Sequence, residues 1–132
     1  MTTSYNFDYD AHRRFLKLTL SGLWDRATLD AFQREAAALL SKVEKASRGD
    51  RSGRILIDVR GYAVQSQEIA DEVSVFIPTY GVLAERIAVI WSQSTLQKMQ
   101  MRRLLASDKV HFVMSEEEAL AWLFEVPLAK AS

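Results

Sequence analysis

Residues 54–73 read RILIDVRGYAVQSQEIADEV, and this stretch decides the fold of the chain. Its first part, ILIDV at 55–59, is an apolar run of strand length without regular alternation. Such a run is typical of a central strand that is covered on both faces. From residue 66 onward, apolar residues recur at helical spacing instead. We therefore predict a buried strand followed by a second helix over residues 66–77, which Pro78 and Gly81 close.

The same alternation of strand and helix continues towards the C-terminus. Residues 87–91, IAVIW, have the pattern of another central strand, and residues 110–114 form a last short strand. A helix begins at Ser94 and another at Ser115. Each serine is followed three residues later by a glutamine or glutamate, which is the sequence signature of a capping box.

The N-terminal part predicts a hairpin and a long helix. Residues 4–9 and 15–20 alternate in side-chain character, and the short polar link between them suits an antiparallel hairpin. Asp25 is a good N-cap for a helix over residues 26–46, whose apolar residues form one stripe.

The predicted order β-β-α-β-α-β-α-β-α defines an α/β fold. Strands that alternate with helices are joined by right-handed parallel crossovers. We therefore expect a mixed five-stranded sheet, in which the first strand is antiparallel and the rest are parallel, with helices on both faces. Residues 1–132 form a single domain, and residues 128–132 are expected to fray.

Composition excludes several functional classes. The 17 basic and 17 acidic residues cancel, which argues against a broad grip on nucleic acid. Cysteine is absent, and the two histidines lack the spacing of a metal site, so no metal or other cofactor is expected. No apolar stretch reaches the length of a transmembrane segment and no secretory signal is present, so the expected compartment is the cytoplasm.

The hairpin, the strand at 55–59, the helix that opens at Ser66 and the strand at 87–91 together resemble the STAS domain superfamily. Within it, the layout looks most like the SpoIIAA-like bacterial proteins, whose fold is that of the anti-sigma-factor antagonists. The resemblance covers about residues 4–125. It implies a non-enzymatic regulatory or binding module of bacterial signalling type that docks a protein partner.

Antagonists of this family usually carry an Asp-Ser-Ser-Gly-like motif at the start of the helix, and the first serine is a kinase target. Here the matching stretch is VQSQE at 64–68, without the Asp-Ser pair or the glycine. A gapless match sets Gln67 against the phosphorylated serine, whereas a shift of one residue sets Ser66 there. Ser66 is the candidate phosphoswitch, because a helix N-terminus favours an anion. The alternative is an ordinary N-cap serine, which contributes about 1 kcal/mol.

Two strand ends and two helix starts are expected at one edge of the sheet, where α/β proteins commonly bind ligands. We call this edge the strand-end rim. It comprises Asp58, Arg60, Tyr62, Gln67, Trp91, Ser92 and Ser94. Its polar groups would hold a phosphate or carboxylate and its aromatic rings would cover an apolar body, unless these residues serve only loop packing and capping.

The predicted second helix carries more apolar residues than one buried stripe needs. With a residue of the next helix, the surplus defines an apolar contact face of Val75, Phe76, Tyr80, Leu83 and Met101. A protein partner, a second protomer or a lipid chain would cover it, although a thick core seam explains it equally well.

Three functions follow from these patterns. The first is the partner-docking module at the rim and the predicted second helix. The alternative is a carrier or sensor of a small amphipathic, lipid-like ligand in a pocket beside that helix. A third is a small hydrolase or lyase with Asp58 or Glu68 as base, for which no paired carboxylate or activated nucleophile is seen.

Overall fold

A computed structural model of the chain describes residues 4–105 and 107–125, apart from the side chains of Ile77 and Tyr80. The strands are β1 (Ser4–Asp10), β2 (Phe15–Gly22), β3 (Gly53–Tyr62), β4 (Ala84–Ile90) and β5 (Val110–Val113). The helices are α1 (Arg26–Ser47), α2 (Gln67–Val73), α3 (Phe76–Tyr80), α4 (Thr95–Leu105) and α5 (Glu116–Leu123), and a 3₁₀ turn spans Gly81–Leu83. The tail predicted to fray, residues 128–132, lies outside the described residues.

The five strands form one sheet in the order β1-β2-β3-β4-β5. β1 is antiparallel to β2, with Phe7 opposite Leu18, and the other neighbouring pairs are parallel. The predicted mixed five-stranded sheet is therefore confirmed. Each strand lies beside its predecessor in the sequence, as right-handed crossovers in one direction require.

The larger core lies on the first face of the sheet. Alternate residues of β2, β3 and β4, such as Leu18, Ile57 and Val89, point to this face and are almost completely buried. The helices α1, α2, α3 and α4 supply the other side of that core, with Leu29 and Phe32 of α1 at its centre. Because β3 is buried on both faces, its sequence is apolar at successive positions.

The second face of the sheet is covered by α5. Its Ala119 and Leu123 have no exposed surface and pack with Leu56, Ala88 and Ile90 of the inner strands. Helices on both faces are therefore confirmed, although the cover is uneven. The β1–β2 half of this second face carries polar side chains, in agreement with the alternation of the hairpin sequence.

The long helix α1 begins and ends as the sequence predicts to within one residue. The Asp25 carboxylate accepts a hydrogen bond from the Thr28 N–H at 2.8 Å and so caps its first turn. Arg48 adopts the left-handed conformation with φ 51° and ends the helix.

The single helix expected over residues 66–77 is wrong, because the segment forms two short helices, α2 and α3. Pro78 has no N–H to donate to the carbonyl of Ser74, four residues earlier, and its ring disfavours a continuous helix there. α2 therefore ends at Val73, and a new helix starts at Phe76 with the proline inside its first turn. Proline is tolerated in a first turn, where its missing N–H is not needed.

Candidate functional site

The exits of two inner strands meet the starts of two helices at one edge of the sheet. β3 ends at Tyr62 and β4 at Ile90, and the chain enters α2 and α4 from these ends. The side chain of Gln97, in the first turn of α4, donates to the carbonyls of Val59 and Tyr62, the latter at 3.1 Å. The start of α4 is thus hydrogen-bonded to the end of β3.

A buried glutamine fixes each of the two loops that follow the inner strands. Besides its two donated bonds, Gln97 accepts one from the backbone N–H of Ser92 at 3.1 Å, and only 3% of the residue is exposed. Its amide therefore has partners on both the oxygen and the nitrogen. Such fully satisfied polar groups hold a loop in one conformation, because losing one bond would leave a buried group unpaired.

Gln65 does the same for the loop after β3. Its side chain accepts from the Trp24 N–H at 2.8 Å and donates to the Gly22 carbonyl at 3.0 Å, so it joins this loop to the end of β2. The backbone of Gln65 exchanges two hydrogen bonds with the Gln100 side chain of α4, at 2.8 and 3.0 Å. The sequence pattern did not indicate this role of Gln65 and Gln97. One signal in the sequence could have identified Gln97: it is a glutamine on the same side of α4 as the apolar residues Met101, Leu104 and Leu105.

Asp58 and Arg60 of the strand-end rim form a two-point ion pair. The Arg60 Nε lies 3.1 Å from the Asp58 Oδ1, and an amino group of Arg60 lies 2.8 Å from Oδ2. Burial alone would raise the pKa of Asp58, but the hydrogen bonds from Arg60 outweigh it and hold that pKa below its ordinary value. Arg60 is therefore already neutralised, and Asp58 is a weak base.

Ser66 and Ser94 each precede a helix at this edge of the sheet and act as its N-cap. The Ser66 hydroxyl accepts from the Ile69 N–H at 3.4 Å, and the Ser94 hydroxyl accepts from the Gln97 N–H at 3.3 Å. Both serines are exposed. They therefore combine a capping role with a position at the surface.

The remaining polar side chains of the rim are held by local bonds. The Ser92 hydroxyl accepts from the Ser94 N–H at 3.1 Å, and the Gln67 amide donates to Asp71 at 2.6 Å, one helical turn further on. These contacts stiffen the start of each helix.

Trp91 lies half-buried at the end of β4, between an aromatic ring and two cations. Phe112 of β5 stacks on it with a centroid distance of 4.4 Å. The Lys98 Nζ and the Arg102 guanidinium carbon lie 5.3 and 5.5 Å from its ring centroid. These are cation–π distances.

Tyr62 does not belong to an accessible rim, which corrects the sequence prediction. Only 2% of it is exposed, and its ring packs edge-on against Trp24 with centroids 5.2 Å apart. Burial raises the pKa of its hydroxyl, which has no hydrogen-bond partner among the described residues. The reason is that β3 runs three residues beyond the end of the predicted apolar run at residue 59, so Tyr62 still belongs to a core strand.

The predicted apolar contact face is largely core and needs a second correction. Phe76, Leu83 and Met101 are 6%, 9% and 1% exposed, whereas Val75 is 54% exposed. The side chain of Tyr80 lies outside the described residues. Most of these residues therefore belong to the hydrophobic core and do not form a contact surface. The break before α3 turns its first residue, Phe76, into the core.

A different set of apolar residues is exposed at the same edge. Leu96 and Met99 on α4 are 69% and 58% exposed, and Val64, after β3, is 45% exposed. We call these three the rim apolar patch. Gln97 must face inward to reach the β3 carbonyls, and this orientation of the helix turns Leu96 and Met99 outward. Val64 lies next to Gln65, which is bonded to Gln100, the residue after Met99.

The space around α2 and α3 is a groove, not an enclosed chamber. The cavity between these helices and the sheet, against Leu18, Phe32 and Phe76, has a volume of about 10 Å³, which is too small for a ligand. A surface groove of about 310 Å³ runs between α1 and the α2–α3 pair. Its walls include Phe32, Val73 and Val75.

Carboxylates near the rim are engaged in ion pairs. Glu68, the second candidate base, lies 2.9 Å from the Arg26 guanidinium, which also contacts Glu72. Within residues 4–105 and 107–125, no group of three or more His, Asp or Glu side chains is placed to hold a metal ion. The same residues contain no helix that is both long and apolar enough to cross a membrane.

Comparison with solved structures identifies the architecture. A DUF3478-family protein from Shewanella loihica PV-4, described as having a SpoIIAA-like fold, aligns with 93% of this chain and 96% of its own, with a TM-score of 0.65 and 18% identity. The chain has the SpoIIAA-like fold. The anti-sigma factor antagonist SpoIIAA in its unphosphorylated form aligns with 94% of this chain and 99% of its own, with a TM-score of 0.59 and 12% identity.

The predicted resemblance to the STAS and SpoIIAA-like domains is therefore confirmed at the level of fold. No family model and no curated protein matches this chain. The SpoIIAA-like arrangement places the start of α2, with Ser66, at the edge where the inner strands end.

Proposed function

We propose that this chain is a non-enzymatic regulatory module of bacterial signalling type that binds a protein partner at the strand-end rim, in the cytoplasm. The observation that carries the proposal is the rim apolar patch, Val64, Leu96 and Met99, exposed beside the rigid exits of β3 and β4. Clustered exposed apolar side chains on a rigid support favour association with another protein.

The polar part of the rim supports a protein partner more than a small anion. Arg60, the cation among the rim residues, is already paired with Asp58 and is therefore not free to hold a phosphate. Methionine at the surface suits an adaptable protein contact, because its side chain is flexible and polarisable.

Ser66 supports regulation of this docking by phosphorylation. The residue is exposed, and it stands at the start of α2, at the same edge as the patch. A phosphate there would add nearly two negative charges close to Glu68. We propose that this change alters partner binding.

The docking proposal is tested by photo-crosslinking in the bacterium of origin. A photoreactive phenylalanine analogue is placed at Leu96 or Met99, and as a matched control at Ser41, which is exposed on α1. We expect a discrete protein adduct at positions 96 and 99 that is weak at 41 and reduced by V64E. An adduct of twice the chain's mass would identify a second protomer as the partner. Equal adducts at all three positions, or none at the rim, would refute the proposal.

The switch is tested with the same adduct as readout. We expect S66D to change its yield several-fold while S66A, which retains an uncharged side chain, changes it little. Mass spectrometry of the protein from its native cell should find phosphate on residue 66. Equal yields for S66A and S66D, with no modified peptide, would contradict the switch.

The groove between α1 and the α2–α3 pair favours a second candidate, the carrier or sensor of an amphipathic ligand. Its 310 Å³ lies at the lower end of the volumes of small-molecule sites, and Phe32 and Val73 give it apolar walls. Native mass spectrometry after mild purification should then show a bound lipid-like mass that V75E displaces. A mass equal to the chain alone, with no thermal shift across a fatty-acid panel, would eliminate this candidate.

A further inference from the structure

The exposed side of α4 has an unusual combination of residues for a chain without net charge. α4 contains no aspartate or glutamate, and it carries three cations next to two exposed apolar residues. We call this set the α4 outer face. It comprises Leu96, Lys98, Met99, Arg102 and Arg103.

The cations of the α4 outer face have no carboxylate partner among the described residues. Elsewhere in the described part of the chain, ion pairs neutralise residues such as Lys17, Arg26 and Arg54. Lys98 and Arg102 instead lie over the Trp91 ring, and Arg103 is exposed. The outer face therefore presents three uncompensated positive charges.

The charges and the apolar side chains lie on adjacent lines of the helix surface. Leu96, Met99 and Arg103 follow one line at spacings of three and four, and Lys98 with Arg102 follow the next line at a spacing of four. A ligand that covers Leu96 and Met99 must also meet these cations. Its chemistry is thus specified twice, by apolar contact and by charge complementarity.

We propose that the α4 outer face docks an acidic amphipathic segment of a protein partner, with apolar anchors against Leu96 and Met99 and carboxylates facing Lys98, Arg102 and Arg103. This inference rests on the proposed function and names the chemistry of its partner. A protein segment fits better than an anionic membrane, because three cations near such a surface contribute only about 1 kcal/mol each. The two exposed apolar side chains include no aromatic residue of the kind that anchors proteins at membrane interfaces.

Trp91 provides a reporter of docking. Carboxylates of the partner would draw Lys98 and Arg102 away from the indole ring, so its fluorescence should change on binding. The signal should disappear in W91F, since Trp24 is buried in the core against Phe32 and Trp122 lies on α5.

The experiment titrates the full chain with a synthetic helical peptide of about 16 residues. The peptide has leucine on one face and glutamate on the other, and a matched peptide has lysine in place of glutamate. We expect the glutamate peptide to change Trp91 fluorescence and to bind about tenfold more weakly to R102E/R103E. K42E/K45E, which reverses two exposed charges on α1, should bind as the unmodified chain does, and added salt should weaken binding.

The inference is overturned if the glutamate peptide does not bind below about 1 mM, if both peptides bind alike, or if R102E/R103E has no effect. It is also overturned if phosphatidylserine vesicles bind the chain and the glutamate peptide does not. Rim adducts that keep their yield in R102E/R103E would refute the acidic segment and leave the docking function standing. If no rim adduct forms in the chain without R102E/R103E, the docking function itself would be refuted.

Discussion

At the scale of single residues, one buried amide decides which side chains the chain displays. Gln97 joins the α4 start to the carbonyls of Val59 and Tyr62, and its orientation sets the rotation of the whole helix. Leu96 and Met99 face outward as a result. A residue that stabilises the fold thus also creates the surface to which we assign function.

Replacing Gln97 by leucine tests this account. Q97L leaves the two β3 carbonyls and the Ser92 N–H without their partner, and each unpaired buried group costs about 1–3 kcal/mol. We expect the free energy of unfolding to fall by about 2–4 kcal/mol in urea denaturation. Q93A, at an exposed position just before α4, serves as the control and should change it little. A Q97L variant as stable as the unmodified chain would refute the bonding role.

The ion pair of Asp58 and Arg60 predicts a specific pH dependence. The pKa of Asp58 lies below its ordinary value in the folded chain, so the pair contributes stability at pH values above the unfolded pKa, and this contribution is lost as pH falls through the folded pKa. R60Q should raise the pKa of Asp58, which an NMR titration of its carboxyl carbon would measure.

The same variant has a thermodynamic consequence. The difference in unfolding free energy between the unmodified chain and R60Q should be largest near neutral pH and should shrink below about pH 4. R51Q, which removes an exposed arginine outside this pair, is the matched control. A difference that stays constant with pH would show that Arg60 acts on stability by another route.

At the scale of elements, the strands were predictable and the helix details were not. The apolar run at 55–59 and the alternating hairpin follow directly from which faces are covered. The break between α2 and α3 was not predicted, because the sequence placed the effect of Pro78 at the preceding residue, whereas its missing N–H acts on the carbonyl of Ser74, four residues earlier. For α4, apolar residues lie on two sides of the helix, with Leu96 and Met99 on one side and Met101, Leu104 and Leu105 on the other. The choice between them depends on Gln97 and on carbonyls of β3, which belong to another part of the chain.

Two arginines of the sheet, one on β3 and one on β4, hold the C-terminal end of α5. Arg54 donates to the carbonyl of Leu123 at 2.6 Å, and Arg86 donates to that of Trp122 at 2.5 Å. Cations are favourable at this end of a helix, where carbonyls lack helical partners. The two strands β3 and β4 therefore fix the helix end as well as the core beneath it.

We predict that R86M loosens α5 selectively. Loss of this charged donor should speed amide hydrogen exchange in residues 119–123 by about tenfold, while amides of α1 keep their rates. R34M, at an exposed position on α1, is the control and should leave α5 unchanged. Uniformly faster exchange throughout the chain would mean that Arg86 supports global stability instead.

At the scale of the whole molecule, the two faces of the sheet differ in how they are covered. Four helices build the first core, whereas α5 covers the inner strands on the second face. The sequence predicted the sheet, its strand directions and the shared edge of the strand exits. It did not predict which rim side chains are accessible, because the burial of Tyr62 and the exposure of Leu96 depend on how separate elements pack.

The core between α5 and the sheet is small, so truncation of one of its side chains should lower the stability of the whole chain. Leu123 has no exposed surface and packs with Leu56 and Ile90 beneath α5. L123A should lower the free energy of unfolding by about 3–5 kcal/mol in urea denaturation. L120A, at a half-buried position of the same helix, should cost clearly less. Equal losses of unfolding free energy for the two variants would mean that α5 stabilises the chain through its helical structure and not through the buried Leu123 side chain.

The strand order β1-β2-β3-β4-β5 has a consequence for how the chain is made. As the polypeptide leaves the ribosome, each new strand finds its neighbour already outside and adds to a free edge. No strand has to be inserted between two that are already paired, so few long-range rearrangements are needed during synthesis. The apolar surface beneath α5 stays bare until that helix emerges, which makes this interval the time at which nascent chains are most exposed to aggregation.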